Sequence, residues 1–202
     1  MSDWRPTAPL DTLRRRAALL ARAREFFAAR GVLEVETPVA LSHTVTDVQI
    51  ASVAVDDGSS RRWLQTSPEY PMKRLLAAGS GDIYQICHVF RAGESGRLHN
   101  PEFTLVEWYR LGFGLEDIMR ETAALAAALL EAGGSSAPPF EALGYAEAFL
   151  RELGCDPLTA PQAELAQLAA AHGLSGRSIE DATRDDLLDF LVAGGVGPRP
   201  GR

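Results

Sequence analysis

The chain has 202 residues, enough for one domain, or one domain with a small appendage, at about 100–200 residues per domain. Hydrophobic residues make up 46% and charged residues 23%, a globular balance that excludes a disordered, collagen-like or coiled-coil chain. No apolar run reaches about 18 residues, so neither a transmembrane helix nor a membrane partner is expected.

The opening MSDWRPTAP lacks a basic start followed by an apolar stretch, so no signal peptide is expected. Cys87 and Cys155 are too few for a disulfide framework and too far apart for a metal knuckle, which points to a reducing cytoplasm. The net charge of −7 is uneven: residues 1–110 carry 14 basic and 13 acidic side chains, residues 111–202 carry 6 and 14. An anion is therefore easier to host in the first part. Neither part is basic enough to wrap nucleic acid. Lys73 is the sole lysine among 20 basic residues.

Residues 1–9 read as a flexible tail. Leu13, Ala17, Leu20, Ala23 and Phe27 then recur at helical spacing, and Arg30-Gly31 supplies a basic last turn and a glycine stop. Val32 to Thr37 reads as a strand stopped by Pro38. Two more strands are expected, at Val48 to Val55 and Arg62 to Gln65, with Asp57-Gly58 as a turn between them. Thr66-Ser67-Pro68-Glu69 has the cap, early proline and early glutamate of a helix start, and Gly79 ends that helix. Ile83 to Arg91 and Glu102 to Arg110 read as a hairpin around the polar loop AGESGRLHNP. A helix follows over Gly114 to Ala132, then a linker from Gly133 to Pro139. Three short helices are expected at Tyr145 to Gly154, Pro161 to His172 and Ile179 to Val192. The closing GGVGPRPGR has no pattern and reads as a frayed end.

The hairpin can carry chemistry. Strand alternation puts Phe103, Leu105, Glu107 and Tyr109 on one face, with Cys87, Val89 and Arg91 on the same side of the partner strand. Thr104, Val106, Trp108 and Arg110 share the other face. The first face spans about 20 Å, long enough for a nucleotide and a small acid. Pattern alone leaves open that this face is core and that Arg91 and Glu107 form a structural pair.

The order of the residues resembles a known family. FRAGESGRLHNPEFTLVEWYR, from Phe90, resembles the second signature motif of class II aminoacyl-tRNA synthetases in its lysyl-type form. FFAARGVLEVETP, from Phe26, resembles the first, and TSPEYPMKRLL, from Thr66, resembles the amino-acid-binding segment. Together they look most like the elongation factor P lysyltransferases, truncated paralogues of lysyl-tRNA synthetase. The resemblance spans residues 10–196, with 197–202 left as a frayed end. It implies an α/β fold of the α+β type: a class II antiparallel sheet flanked by helices, incomplete at the C-terminus. It further implies ATP and Mg2+, activation of lysine or β-lysine as an acyl-adenylate, transfer to a lysine side chain of elongation factor P, and a homodimer built on the first helix and the Pro38 strand.

By the same resemblance, Arg91 is the catalytic arginine that neutralises the α-phosphate, a task suited to its fork of donors. Phe103 stacks on adenine and Asn100 reads it. Ala92, Gly93 and Glu94 line the ATP site. Gly93 stands where synthetases carry glutamate, which shifts the adenine contact to Glu94 or to backbone. Ser67, Pro68, Glu69 and Tyr109 contact the amino acid, Glu69 holding an ammonium group. Glu107 either binds substrate or orients Arg91.

The third signature motif, with its γ-phosphate arginine, and the family's metal-holding acids are absent from these residues, so the metal ligands are expected elsewhere and activity is expected to be impaired. A tail of this length leaves no room for an anticodon-binding barrel, so tRNA is not expected as a partner. A lysyl-tRNA synthetase fragment and a non-catalytic dimerising remnant remain alternatives. Trp108 and Cys87 are expected to pack, His88 to be a satisfied strand residue, His43 and His172 to lie at the surface, and Lys73 and Arg74 to be solvated.

Overall fold

The computed structural model describes residues 4–56, 58–174, 179 and 181–197. They divide into two units, Met1–Ala137 and Pro138–Arg202. The division falls in the expected linker and inside the span 10–196 that the sequence suggested as one domain. Among the described residues no helix is long and apolar enough to cross a membrane.

In the first unit, α1 (Leu10–Ala28) starts behind Pro9, whose φ of −60° suits the proline ring. It ends where Gly31 takes φ +69°, a left-handed turn that glycine makes without a Cβ penalty. Only its last turns are buried, through Ala23, Phe26 and Phe27, while Leu10 and Leu13 stay exposed. The ladder of β1 is confined to Leu33–Glu34, shorter than expected. Beyond Val35, Thr37 hydrogen-bonds the Gln85 side chain (3.0 Å) instead of a neighbouring backbone.

A strand of two residues, β2 (Ala40–Leu41), was not anticipated; so short a strand has no period to read. It joins β3 (Ala54–Asp56) and β4 (Arg61–Leu64) in an antiparallel sheet of order β2-β4-β3. The expected strand from Val48 is shortened because Asp47 Oδ1 accepts the Gln49 N–H (2.8 Å), a local side-chain turn that competes with strand pairing. Of the expected turn, Gly58 has φ +82°; Asp57 lies outside the described residues.

Helix α2 (Glu69–Ala77) is followed by β5 (Ile83–Phe90) and β6 (Glu102–Tyr109). The pair is antiparallel, with Gln85 opposite Glu107, Cys87 opposite Leu105 and Val89 opposite Phe103. β1 adds to β5 in parallel, giving the order β1-β5-β6. The sheet is thus mixed rather than antiparallel throughout, because β1 reaches β5 through a long connection, as parallel pairing requires.

Helix α3 (Leu115–Ala132) buries Glu121, Leu125 and Ala128, at helical spacing. Leu125 and Ala128 join Phe26, Phe27 and Tyr84 in the core, with Ile86, Val106 and Trp108 packed against them. Phe27 stacks on Tyr84 with centroids 4.3 Å apart. Burying such an aromatic stabilises by about 1.5–3 kcal/mol.

In the second unit, α4 (Tyr145–Leu153), α5 (Gln162–Ala171) and α6 (Arg184–Leu191) enclose a core of Phe149, Leu165, Leu187 and Leu191. Helix α6 starts later than expected, because Thr183 and Asp186 bond each other's backbone N–H as a capping box. Val192–Val196 continue as a π-helical turn, with Gly195 and Val196 buried. This corrects the reading of 194–196 as frayed: Val196 joins the core. Residues 198–202, like 1–3 of the tail, lie outside the described residues. His172, expected at the surface, is half-buried and donates from Nδ1 to the Leu168 carbonyl at 2.9 Å.

Candidate active site

The pairing of β5 with β6 sorts the side chains. Gln85, Cys87, Val89, Phe103, Leu105, Glu107 and Tyr109 share one face. The opposite face, with Tyr84, Ile86, Val106 and Trp108, packs on the core of α1 and α3. Trp108 packs against that core, while on the first face Gln85 and Val89 are buried and Phe103, Glu107 and Tyr109 are half-buried.

Arg91 follows β5 directly, and its N–H donates to the Pro101 carbonyl (2.9 Å), closing the base of the loop. Nε donates to the Thr66 carbonyl (3.4 Å). Nη1 lies 3.9 Å from Glu94, and the guanidinium sits 5.1 Å from the Phe103 ring centroid. These contacts hold a half-buried cation at the mouth of a cavity of about 630 Å3, whose lining includes Arg91, Gly93, Glu94, His99, Asn100 and Phe103. That volume suits a nucleotide, since ligand pockets run from about 300 to 1,000 Å3.

A second cavity, of about 480 Å3, is lined by Asp47, Thr66, Ser67, Glu69 and Tyr70, and again by Arg91. Arg91 therefore borders both spaces.

Beside it runs a chain of hydroxyls and carboxylates. Ser67 Oγ accepts the Glu69 N–H (3.0 Å) and donates to Glu107 Oε2 (2.5 Å). The Tyr109 hydroxyl donates to Glu107 Oε1 (2.8 Å). Burial first, then the Glu107 carboxylate, push the Tyr109 phenol far up, so it stays a donor at neutral pH. Both Glu107 oxygens are engaged by hydroxyls, so Glu107 does not pair with Arg91; Arg91 pairs with Glu94 instead.

Glu69, expected to hold an ammonium, holds that of Lys73. This bond raises the Lys73 pKa; the pair is an exposed one, one helical turn apart, so Lys73 stays on a solvated helix face as expected. Arg74 is exposed as expected.

The other candidates separate. Pro68 is buried at the head of α2, with φ −80°. Ala92 donates its N–H to the Ala51 carbonyl (2.8 Å) and lines neither cavity. Gly93 has φ +82°, a conformation that a glutamate would adopt only with strain, so the glycine has a backbone reason. Burial pushes the Cys87 thiol up, as for a packed rather than reactive cysteine. His88 Nδ1 lies 2.6 Å from Glu102 in an exposed pair.

Sequence reasoning missed His99 and Asp47. His99 adjoins Asn100 in the motif loop and could have been found there. Asp47 gave no signal, lying far from the motifs in sequence. Among the described residues no group of three or more His, Cys, Asp or Glu side chains is placed to hold a metal, so no step below is routed through Mg2+.

A family model of class II tRNA synthetases (D, K and N) matches residues 1–184. The chain belongs to that family, and its fold is of the α+β type. It is 45% identical over 208 residues to the elongation factor P–(R)-beta-lysine ligase of Edwardsiella ictaluri (strain 93-146). It is 48% identical over 209 residues to the protein of that name in Vibrio cholerae serotype O1, and 46% over 211 residues to that of Yersinia pestis (strain Pestoides F). Each match takes in 100% of this chain, which spans 62–63% of the length of these curated relatives.

Proposed function

We propose that this chain belongs to an ATP-dependent ligase that activates lysine or β-lysine as an acyl-adenylate and passes it to a lysine side chain of elongation factor P. The observation that carries the reading is the position of Arg91 on both cavities. The nucleotide occupies the cavity of Asn100 and Phe103, and the amino acid the cavity of Ser67 and Glu69. Their reacting ends then meet at one guanidinium.

In the first step a carboxylate oxygen of the amino acid bonds to the α-phosphorus, and the bond to pyrophosphate breaks. Both reactants are anionic, so the barrier falls by positioning and charge neutralisation. Arg91 supplies a charge and a planar fork that serves a phosphate oxygen and the carboxylate together. In the second step an acceptor amine bonds to the acyl carbon and AMP leaves. Glu107 fixes the Ser67 hydroxyl at the wall of the amino-acid cavity. Tyr109, which lines neither cavity, acts by holding Glu107, and the Lys73 ammonium yields Glu69 to that of the substrate.

Calorimetric titration with ATP, and with lysine or β-lysine in the presence of ATP, tests this. Arg91→Ala is expected to weaken both ligands, Phe103→Ala to weaken ATP alone and Glu69→Gln the amino acid alone. Arg97 lies outside the lining of the nucleotide cavity, so Arg97→Ala is expected to weaken ATP less than Arg91→Ala. Equal effects of the two arginine variants would remove Arg91 from its role.

A further inference from the structure

We propose that Asp47 is a specificity-determining residue of the amino-acid cavity, binding one of the two ammonium groups of a diamino acid. The inference rests on the proposed function and adds to it a residue outside the motifs.

The substrate class carries three charges: one carboxylate and two ammonium groups. The cavity of about 480 Å3 offers three charged side chains, Arg91, Glu69 and Asp47. Arg91 matches the carboxylate and Glu69 one ammonium. The nearby Glu107 is held by two hydroxyls and does not line the cavity, so among the described lining residues Asp47 is the acid left for the other. Among the described residues its carboxylate has no cationic partner, whereas Glu69 already holds Lys73 and Glu94 lies by Arg91. An anion facing a cavity without a counter-charge is the arrangement expected where the ligand brings the cation.

The position of Asp47 is also built. It sits in the segment between β2 and β3. Next to it, the Thr46 hydroxyl bonds the Tyr70 hydroxyl on α2 (2.9 Å). Further along, the Ala51 carbonyl accepts the Ala92 N–H (2.8 Å) from the motif loop. Asp47 Oδ1 accepts the Gln49 N–H (2.8 Å), which sets its side chain. The segment is thus pinned on both sides of Asp47, to the two elements that frame the cavity.

Asp47→Asn is the matched test, because the amide oxygen still accepts from Gln49 while the charge is lost. The full chain is titrated, in the presence of ATP, with L-lysine, with 6-aminohexanoate, which lacks the α-ammonium, and with norleucine, which lacks the distal one. Ligand-observed NMR reads the affinities. The substitution is expected to weaken lysine about tenfold or more, as for loss of a hydrogen bond to a charged group, to leave ATP unchanged, and to leave unchanged whichever analogue lacks the ammonium that Asp47 binds. Lysine affinity preserved in Asp47→Asn overturns the inference and leaves the proposed function standing. Equal weakening of lysine and both analogues also overturns it, since that marks a general change in the cavity. Wild-type chain that binds ATP but not lysine or β-lysine overturns the proposed substrate class, and this inference with it.

Discussion

Glu121→Ala is expected to destabilise the first unit by about 3–5 kcal/mol, the usual cost of removing one partner of a buried ion pair. The carboxylate is 6% exposed, 3.4 Å from the Arg110 guanidinium, which is itself 11% exposed. It also accepts from Trp108 Nε1 (3.1 Å) and lies 3.8 Å from Arg30. Arg110 Nε and Nη1 are buried without a hydrogen-bonded acceptor, so the pairing is Coulombic and Arg110 depends on the charge of Glu121. Without it, Asp82 (3.4 Å) is the one counter-charge left among the described residues. The Trp108 bond, to a charged acceptor, accounts for about 1.5–3 kcal/mol of the loss; the rest is the unbalanced guanidinium. Glu121→Gln keeps an acceptor for Trp108 and is expected to cost less. The double change Arg110→Met, Glu121→Leu removes both charges and is also expected to cost less than Glu121→Ala. Trp4, Trp63 and Trp108 all lie in the first unit, so urea unfolding followed by tryptophan fluorescence reads that unit alone. A loss below about 1 kcal/mol for Glu121→Ala would refute the reasoning, since it would place the charge among exposed pairs.

Burial, then the Glu34 bond, push the Tyr84 phenol from its ordinary 10 up to about 12. The native state keeps this proton where the unfolded chain releases it, so the associated stability is whole below pH 10 and is lost between pH 10 and 12. The loss is on the order of 2 kcal/mol; urea midpoints against pH should fall less steeply in Tyr84→Phe, and equal slopes would contradict this. Gly93→Ala is expected to cost about 1 kcal/mol through its positive φ. Gly93→Glu, although it restores the family's residue, should lower ATP affinity, and a gain in calorimetry would count against the backbone argument. The outer edge of β6 has no strand partner among the described residues, and an open edge favours pairing with another chain. A dimer or larger assembly is therefore expected in light scattering, and a monodisperse monomer would sink the idea.

Local chemistry made much of the first unit legible in the sequence. Apolar spacing placed α1, an alanine- and leucine-rich run placed α3, and glycines placed the ends of α1 and α2. Alternation sorted β6 into a face packed on the core, with Trp108, and an opposite face, with Phe103, Glu107 and Tyr109. Motif resemblance named Arg91, Asn100 and Phe103, which the fold gathers with Glu94 around one cavity, Asn100 and Phe103 nine residues or more beyond Arg91. These features depend on neighbours along the chain, so a linear string can hold them.

Tertiary structure alone decided the partners. The Glu107 carboxylate meets Ser67 across 40 positions of sequence. The parallel register of β1 on β5, the Glu121 cluster and the approach of Asp47 to the same cavity as Glu69 and Arg91 are likewise set by folding. Side-chain charge and hydrogen bonding act through distance in space, and that distance is fixed only when the chain has chosen which segments lie side by side.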